Sequence, residues 1–174
     1  ISGAAAFSNC SSLDDDLDLF IITRSKRLWL AYATLALRMK FRNRRGKLCL
    51  NYLVSEQAAE RHLHHFYVAH QIAHLRPILN GSLIREYISK NHWITTFLPQ
   101  GGLENPHNFP KFSGKSRPAS NRLMIWVLDM FESMIHRFYG QRIRNKTTHL
   151  GADSIDVSQD RIMLFTNNHL REVT

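Results

Sequence analysis

Cysteine is scarce in this chain: among 174 residues only Cys10 and Cys49 carry a thiol. Two thiols with no paired spacing exclude a disulfide-rich scaffold and fit a reducing, cytoplasmic setting. Long apolar runs are missing too. No stretch approaches the ~18 residues that a membrane-spanning helix needs. The richest one, residues 28–37, includes Thr34 and stops at Arg38, so no membrane partner is expected. Internal repeats and low-complexity segments are absent, which excludes solenoids and compositional linkers. Acids are few as well, with 14 Asp and Glu against 23 Lys and Arg, a formal charge of +9. That balance favours anionic partners such as nucleotides, nucleic acid or acidic metabolites, with a solvated basic surface as the plain alternative. A hydrophobic fraction of 44% excludes wholesale disorder.

The few acids are concentrated. Asp14-Asp15-Asp16-Leu17-Asp18 runs directly into the apolar segment Leu19-Phe20-Ile21-Ile22-Thr23. Strand side chains alternate between faces, so Asp16 and Asp18 share one face. Neighbouring carboxylates at the start of a buried strand repel each other unless a cation, a shared proton or open water lies between them. Mg²⁺ suits this arrangement, because it takes one or two carboxylates and completes its shell with water and substrate phosphates. Asp14 and Asp15 read as a polar turn before the strand.

Upstream stand Ile1-Ser2-Gly3-Ala4 and the polar stretch Ser8-Asn9-Cys10-Ser11-Ser12. A small-residue turn exposes backbone N–H groups to a phosphate. With Asp16-Leu17-Asp18, and with Arg27-Leu28-Trp29-Leu30 and Leu48-Cys49-Leu50-Asn51-Tyr52 beyond, the chain resembles the nucleotidyltransferase superfamily that includes DNA polymerase β. The resemblance covers residues 1–56 and loosens over 57–100. It implies a small mixed sheet of nucleotidyltransferase type, of α/β (α+β) class, followed by a mainly helical C-terminal region. The boundary is expected at residues 57/58, with the core at 1–57 truncated at its N-terminus.

By the same resemblance, Asp16 and Asp18 hold two Mg²⁺ ions around a nucleoside triphosphate. Ser2, Gly3, Ala4, Asn9 and Arg27 form the nucleotide pocket. The implied reaction is transfer of a nucleoside monophosphate to an acceptor hydroxyl or amine on a small molecule, a protein or RNA. Two departures weigh on it. Ala4 stands where the family carries Ser or Gly. Asn51 stands where its third carboxylate is expected, which leaves proton removal to Glu56, to water or to the acceptor itself. The alternatives are a catalytically inactive nucleotide- or nucleic-acid-binding module of the same fold, or one component of a toxin–antitoxin pair.

The rest of the chain reads as follows. A helix capped by Thr23 or Ser25 runs to about Phe41, apolar nearly all round and so expected to be buried on most sides. Lys47–Val54 is a strand. Helices are expected from about Gln57 to Leu75 and over 83–97, then a long loop over 99–120. A further helix runs from Asn121 to about Ile143, with Leu123, Trp126, Val127, Met130, Phe131, Met134, Ile135 and Phe138 as its apolar face. From Thr147 onward the pattern is weak. His62, His64, His65, His70 and His74 crowd one helix. His70 and His74 share a face, which fits either zinc ligation or a half-exposed helix. Arg24, Lys26 and Arg27 either bind a triphosphate or balance the aspartates.

Overall fold

The structure is a computed structural model that describes residue 2, residues 17–42, 48–58, 64, 66–99, 121–147 and 155–164. The apolar run after the aspartates forms β1 (Leu17–Thr23). A turn closed by the Arg27 N–H on the Arg24 carbonyl at 3.2 Å leads into α1 (Leu28–Phe41). Lys26 in that turn has φ of 57°, the left-handed region that non-glycine residues occupy at a cost. Then come β2 (Leu48–Ser55) and a short 3₁₀ turn, Glu56–Ala58. Three helices follow: α2 (Phe66–Ala73), α3 (Gly81–Lys90) and the single turn α4 (Ile94–Phe97). The 26-residue α5 (Arg122–Thr147) precedes a short hairpin, β3 (Ile155–Val157) and β4 (Arg161–Leu164).

Among the described residues the strands form a four-stranded sheet in the order β1-β2-β4-β3. β1 and β2 are parallel, joined by α1, while β4 runs antiparallel to both β2 and β3. The mixed α+β class expected from the sequence is therefore observed, as is the strand–helix–strand start. Two of the four strands come from the weakly patterned C-terminal stretch. The hairpin closes through the Ser158 N–H on the Arg161 carbonyl at 2.9 Å and inserts β4 beside β2. The sheet is thus completed by residues that the sequence assigned to the helical region.

Each sheet face carries its own layer of helices. On one face Phe20, Ile22, Tyr52, Val54 and Met163 pack against α2, α3 and α4 through Val68, Ile72, Tyr87 and Ile94. On the other, Ile21, Leu50, Leu53 and Ile162 pack against Leu28 and Trp29 of α1 and Ile135, Tyr139 and Ile143 of α5. Leu50 and Leu53 share a face although they are three apart, against strict alternation. The register explains this: Asp18 pairs with Cys49 but Phe20 with Tyr52. Leu50 and Asn51 together oppose Leu19, a β-bulge that shifts the alternation of β2 by one.

Four helices differ from the sequence-based expectation. The one expected from about Gln57 to Leu75 is a 3₁₀ turn at Glu56–Ala58 and then α2 over Phe66–Ala73, with His64 outside both. α1 is fully buried only at Leu28 and Trp29, while Leu37 and Phe41 are exposed. Its apolar girth is covered where it meets the sheet and α5, and not further along. The helix expected over 83–97 breaks at Asn91-His92-Trp93. Buried Asn91 holds the break, its Nδ2 donating to the Tyr87 carbonyl (2.8 Å) and its Oδ1 accepting from Trp93 Nε1 (3.2 Å). A side-chain amide that competes for backbone partners is a helix-ending device.

The largest departure is α5. Of the apolar face expected there, Ile135 packs against the core, while Leu123, Trp126, Met130, Phe131, Met134 and Phe138 are exposed. The inward side is Asp129, Glu132, Ile135, His136, Tyr139, Gly140 and Ile143. The physical reason lies at the start of α1. No side chain of its own caps α1. Instead the Trp29 and Leu30 N–H groups donate to Oε1 and Oε2 of Glu132, each at 2.8 Å. Glu132 is only 2% exposed. A carboxylate here satisfies two donors that every helix start leaves open and faces the positive end of the helix dipole. That demand fixes the rotation of α5.

Candidate functional site

Asp18 lies near the N-terminal end of β1, half-buried, on the strand face it shares with Phe20 and Ile22. Its backbone carbonyl accepts the Ser2 N–H at 3.0 Å. Two residues singled out by the sequence, Ser2 and Asp18, are thereby brought together. Asp16, Gly3, Ala4 and Asn9 lie outside the described residues.

Next along this face the surroundings turn aromatic. The Phe20 ring stacks on Tyr52 with centroids 4.7 Å apart and meets Tyr87 edge-on at 4.9 Å. The two tyrosine hydroxyls are hydrogen-bonded at 3.1 Å, and both rings are buried. Beyond Asp18 this face is an aromatic wall closed by its own hydrogen bond.

Glu56 and Arg27 are not gathered there. In the parallel pair Thr23 stands opposite Ser55, so Glu56 follows the far end of the ladder. The five residue-to-residue steps from Asp18 to Thr23 span roughly 16 Å at about 3.3 Å each. Glu56 is exposed in the 3₁₀ turn and does not fit as a third carboxylate beside Asp18. Arg27 sits at the start of α1, its Nη1 2.5 Å from Asp129 Oδ1 and also donating to the Lys26 carbonyl. Its guanidinium ties α1 to α5.

The C-terminal end of the parallel pair holds a polar cluster that the sequence did not reveal. Buried Ser55 donates its N–H to the Asp160 carbonyl (2.9 Å) and its hydroxyl to Asp160 Oδ1 (2.7 Å). Thr23 Oγ1 donates to the Val54 carbonyl at 3.4 Å. Arg161 pairs with Asp156 at 3.0 Å and donates from Nη2 to the Ala58 carbonyl at 3.1 Å. These contacts lock the hairpin onto β2, a structural arrangement rather than a chemical one.

The histidine-rich stretch is only partly described. His70 and His74 in and after α2 have ring centroids 4.2 Å apart, and His74 Nδ1 lies 2.8 Å from the His70 carbonyl. Burial, and then the neighbouring His74, lower the His70 pKa below its usual 6.5. His64 stacks on Trp93 at 4.5 Å. Among the described residues no group of three or more His, Cys, Asp or Glu could hold a metal ion. His62 and His65 lie outside them.

What sequence reading missed was the pair Asp129 and Glu132. A signal existed: they are the only two acids in residues 122–147, and their spacing places them on one side of a helix, away from the apolar stripe. Among the described residues no helix is long and apolar enough to cross a membrane. Compared with protein-family models, with curated proteins and with solved structures, the chain matches none.

Proposed function

We propose that this chain is a nucleotide-binding module of nucleotidyltransferase type that holds a magnesium–nucleoside triphosphate without transferring its nucleotidyl group. Asp16 and Asp18 hold the metal, and the backbone of Ser2 and Gly3 faces the phosphates. The metal supplies charge neutralisation of the phosphate oxygens. The aspartate pair and the small-residue turn support binding, together with the hydrogen bond that draws Ser2 against Asp18. The observation that carries the absence of turnover is the displacement of Glu56 to the far end of the β1–β2 ladder. A proton acceptor must reach the reacting group within hydrogen-bond distance. Asn51, in the bulge beside Asp18's partner Cys49, cannot serve as one at all.

The test is titration with a fluorescent ATP analogue, with and without Mg²⁺, alongside a pyrophosphate-release assay. Binding requires Mg²⁺ and weakens about tenfold or more in Asp16→Asn and in Asp18→Asn. Glu56→Gln binds as the parent does, and no pyrophosphate appears. Mg²⁺ raises the melting temperature only when nucleotide is present. Pyrophosphate release that disappears in Glu56→Gln overturns the absence of turnover. Binding that persists in both aspartate variants overturns the site itself.

A further inference from the structure

The outward side of α5 is an uncovered apolar face among the described residues, and it is independent of the nucleotide reading. Trp126, Met130, Met134 and Phe138 follow one another at four-residue intervals and form a single ridge. Their exposures are 63%, 49%, 56% and 65%. Isolated exposed apolar residues are ordinary, but a contiguous row marks an interaction site. An open groove of about 1230 Å³ runs beside it from Met130 to Asn145, with Arg137 and Arg142 in its lining.

The charges of α5 are sorted between its two sides. Its only acids, Asp129 and Glu132, are engaged inward by Arg27 and by the α1 backbone. Its outward side therefore carries cations and no carboxylate of its own, with the apolar ridge toward the N-terminus and Arg137 and Arg142 toward the C-terminus. A second copy fits poorly on this pattern. Parallel pairing sets Arg137 and Arg142 against themselves, and antiparallel pairing of ridge on ridge sets Arg142 against Arg122 and Arg137 against Val127. A lipid surface fits poorly as well, because Arg137 lines the same groove as Met134 and Phe138 and would be drawn below the headgroups. Nucleic acid would find methionines at the middle of the ridge, where stacking requires rings.

We infer that this face docks an amphipathic helix of another protein. The apolar stripe of that helix packs on the ridge from Trp126 to Phe138, and its carboxylates meet Arg137 and Arg142. Rows spaced four residues apart are the ridges that a second helix packs between. Unbranched methionines adapt to a partner's side chains, as in other helix-receiving grooves. The cations at one end set the direction in which the partner lies and exclude basic competitors.

The test uses the whole chain and a fluorescein-labelled helical peptide with leucine at four-residue intervals on one face and glutamate flanking its end. A second peptide carries lysine in place of glutamate. The glutamate peptide binds. Phe138→Ser and the double variant Arg137→Glu/Arg142→Glu each weaken binding about tenfold or more, with unchanged melting temperatures. The double variant gains binding to the lysine peptide. No binding of the glutamate peptide, equal binding of both peptides by the parent chain, or unfolding of Phe138→Ser would each overturn the inference. So would a dimer in light scattering that Phe138→Ser dissolves. The same holds for vesicles containing phosphatidylserine, or single-stranded DNA, binding to this face in place of the peptide.

Discussion

On the side of α5 that meets α1, a carboxylate caps a helix, a second pairs with an arginine, and a histidine lies on a tryptophan. On the opposite side stand tryptophan, methionine and phenylalanine in open solvent. Both acids of this helix face inward, beside Ile135, Tyr139 and Ile143, while Trp126, Met130, Met134 and Phe138 stand outside. The difference teaches that burial in this protein follows backbone demand before side-chain hydropathy. The start of α1 leaves donors in a dry place, and a buried donor without a partner costs about 1–3 kcal/mol. Glu132 removes that cost for two of them. The rotation of α5 that permits this turns the apolar ridge to the surface.

The comparison breaks most visibly at Trp29, which is fully buried between the helices and lies 4.9 Å from His136, ring to ring. Trp29→Ala removes the largest side chain of the inward side, and a loss of about 4 kcal/mol in chemical denaturation is expected. Equal loss from Trp126→Ala would erase the distinction between the two sides. Gly140 sharpens it by close approach. A Cβ there would meet His136 Cδ2 at 3.2 Å and Trp29 Cη2 at 3.5 Å. Gly140→Leu is therefore expected to lower stability by about 2 kcal/mol through overpacking, whereas Gln141→Leu on the outward side leaves it nearly unchanged.

Acid probes the inward side by titration. Burial first, then the cations Arg144 and Arg137, lower the His136 pKa below 6.5, with Glu132 and Asp160 partly opposing them. The unfolded chain then binds a proton more readily than the folded one. The stability is intact above 6.5 and declines as pH falls below that value toward the lowered one. His70 acts with the same sign. Denaturation midpoints at about pH 7.5 and about pH 5.5 check this. His136→Gln reduces the decline and leaves the part due to His70. A midpoint that rises on acidification would contradict the assignment. The smallest effect is expected at the Arg27–Asp129 pair, whose side chains are 27% and 35% exposed. Asp129→Asn costs below about 1 kcal/mol, since partly solvated pairs are screened.

These particulars also show what was legible in the chain. β1, α1 and β2 announce themselves through a seven-residue apolar strand, a long apolar helix and a second apolar strand, all local patterns. The existence of α5 was equally plain. Its orientation was not, because the residue that fixes it caps a helix 103 positions earlier in sequence. The β3–β4 hairpin escaped because strands of three and four residues carry too little alternation to register. At the candidate site, Asp18 could be named from its place at the head of an apolar strand. The distance of Glu56 could not, since it depends on the register of two parallel strands, which no local pattern encodes.

The sharpest single measurement is the unfolding free energy of Glu132→Ala beside that of Phe138→Ser. A loss of about 3 kcal/mol is predicted for the first, from two stranded backbone donors at a buried helix start. The second should stay within about 0.5 kcal/mol of the parent. A stable Glu132→Ala together with an unfolded Phe138→Ser would mean that α5 faces the other way, and would contradict the account.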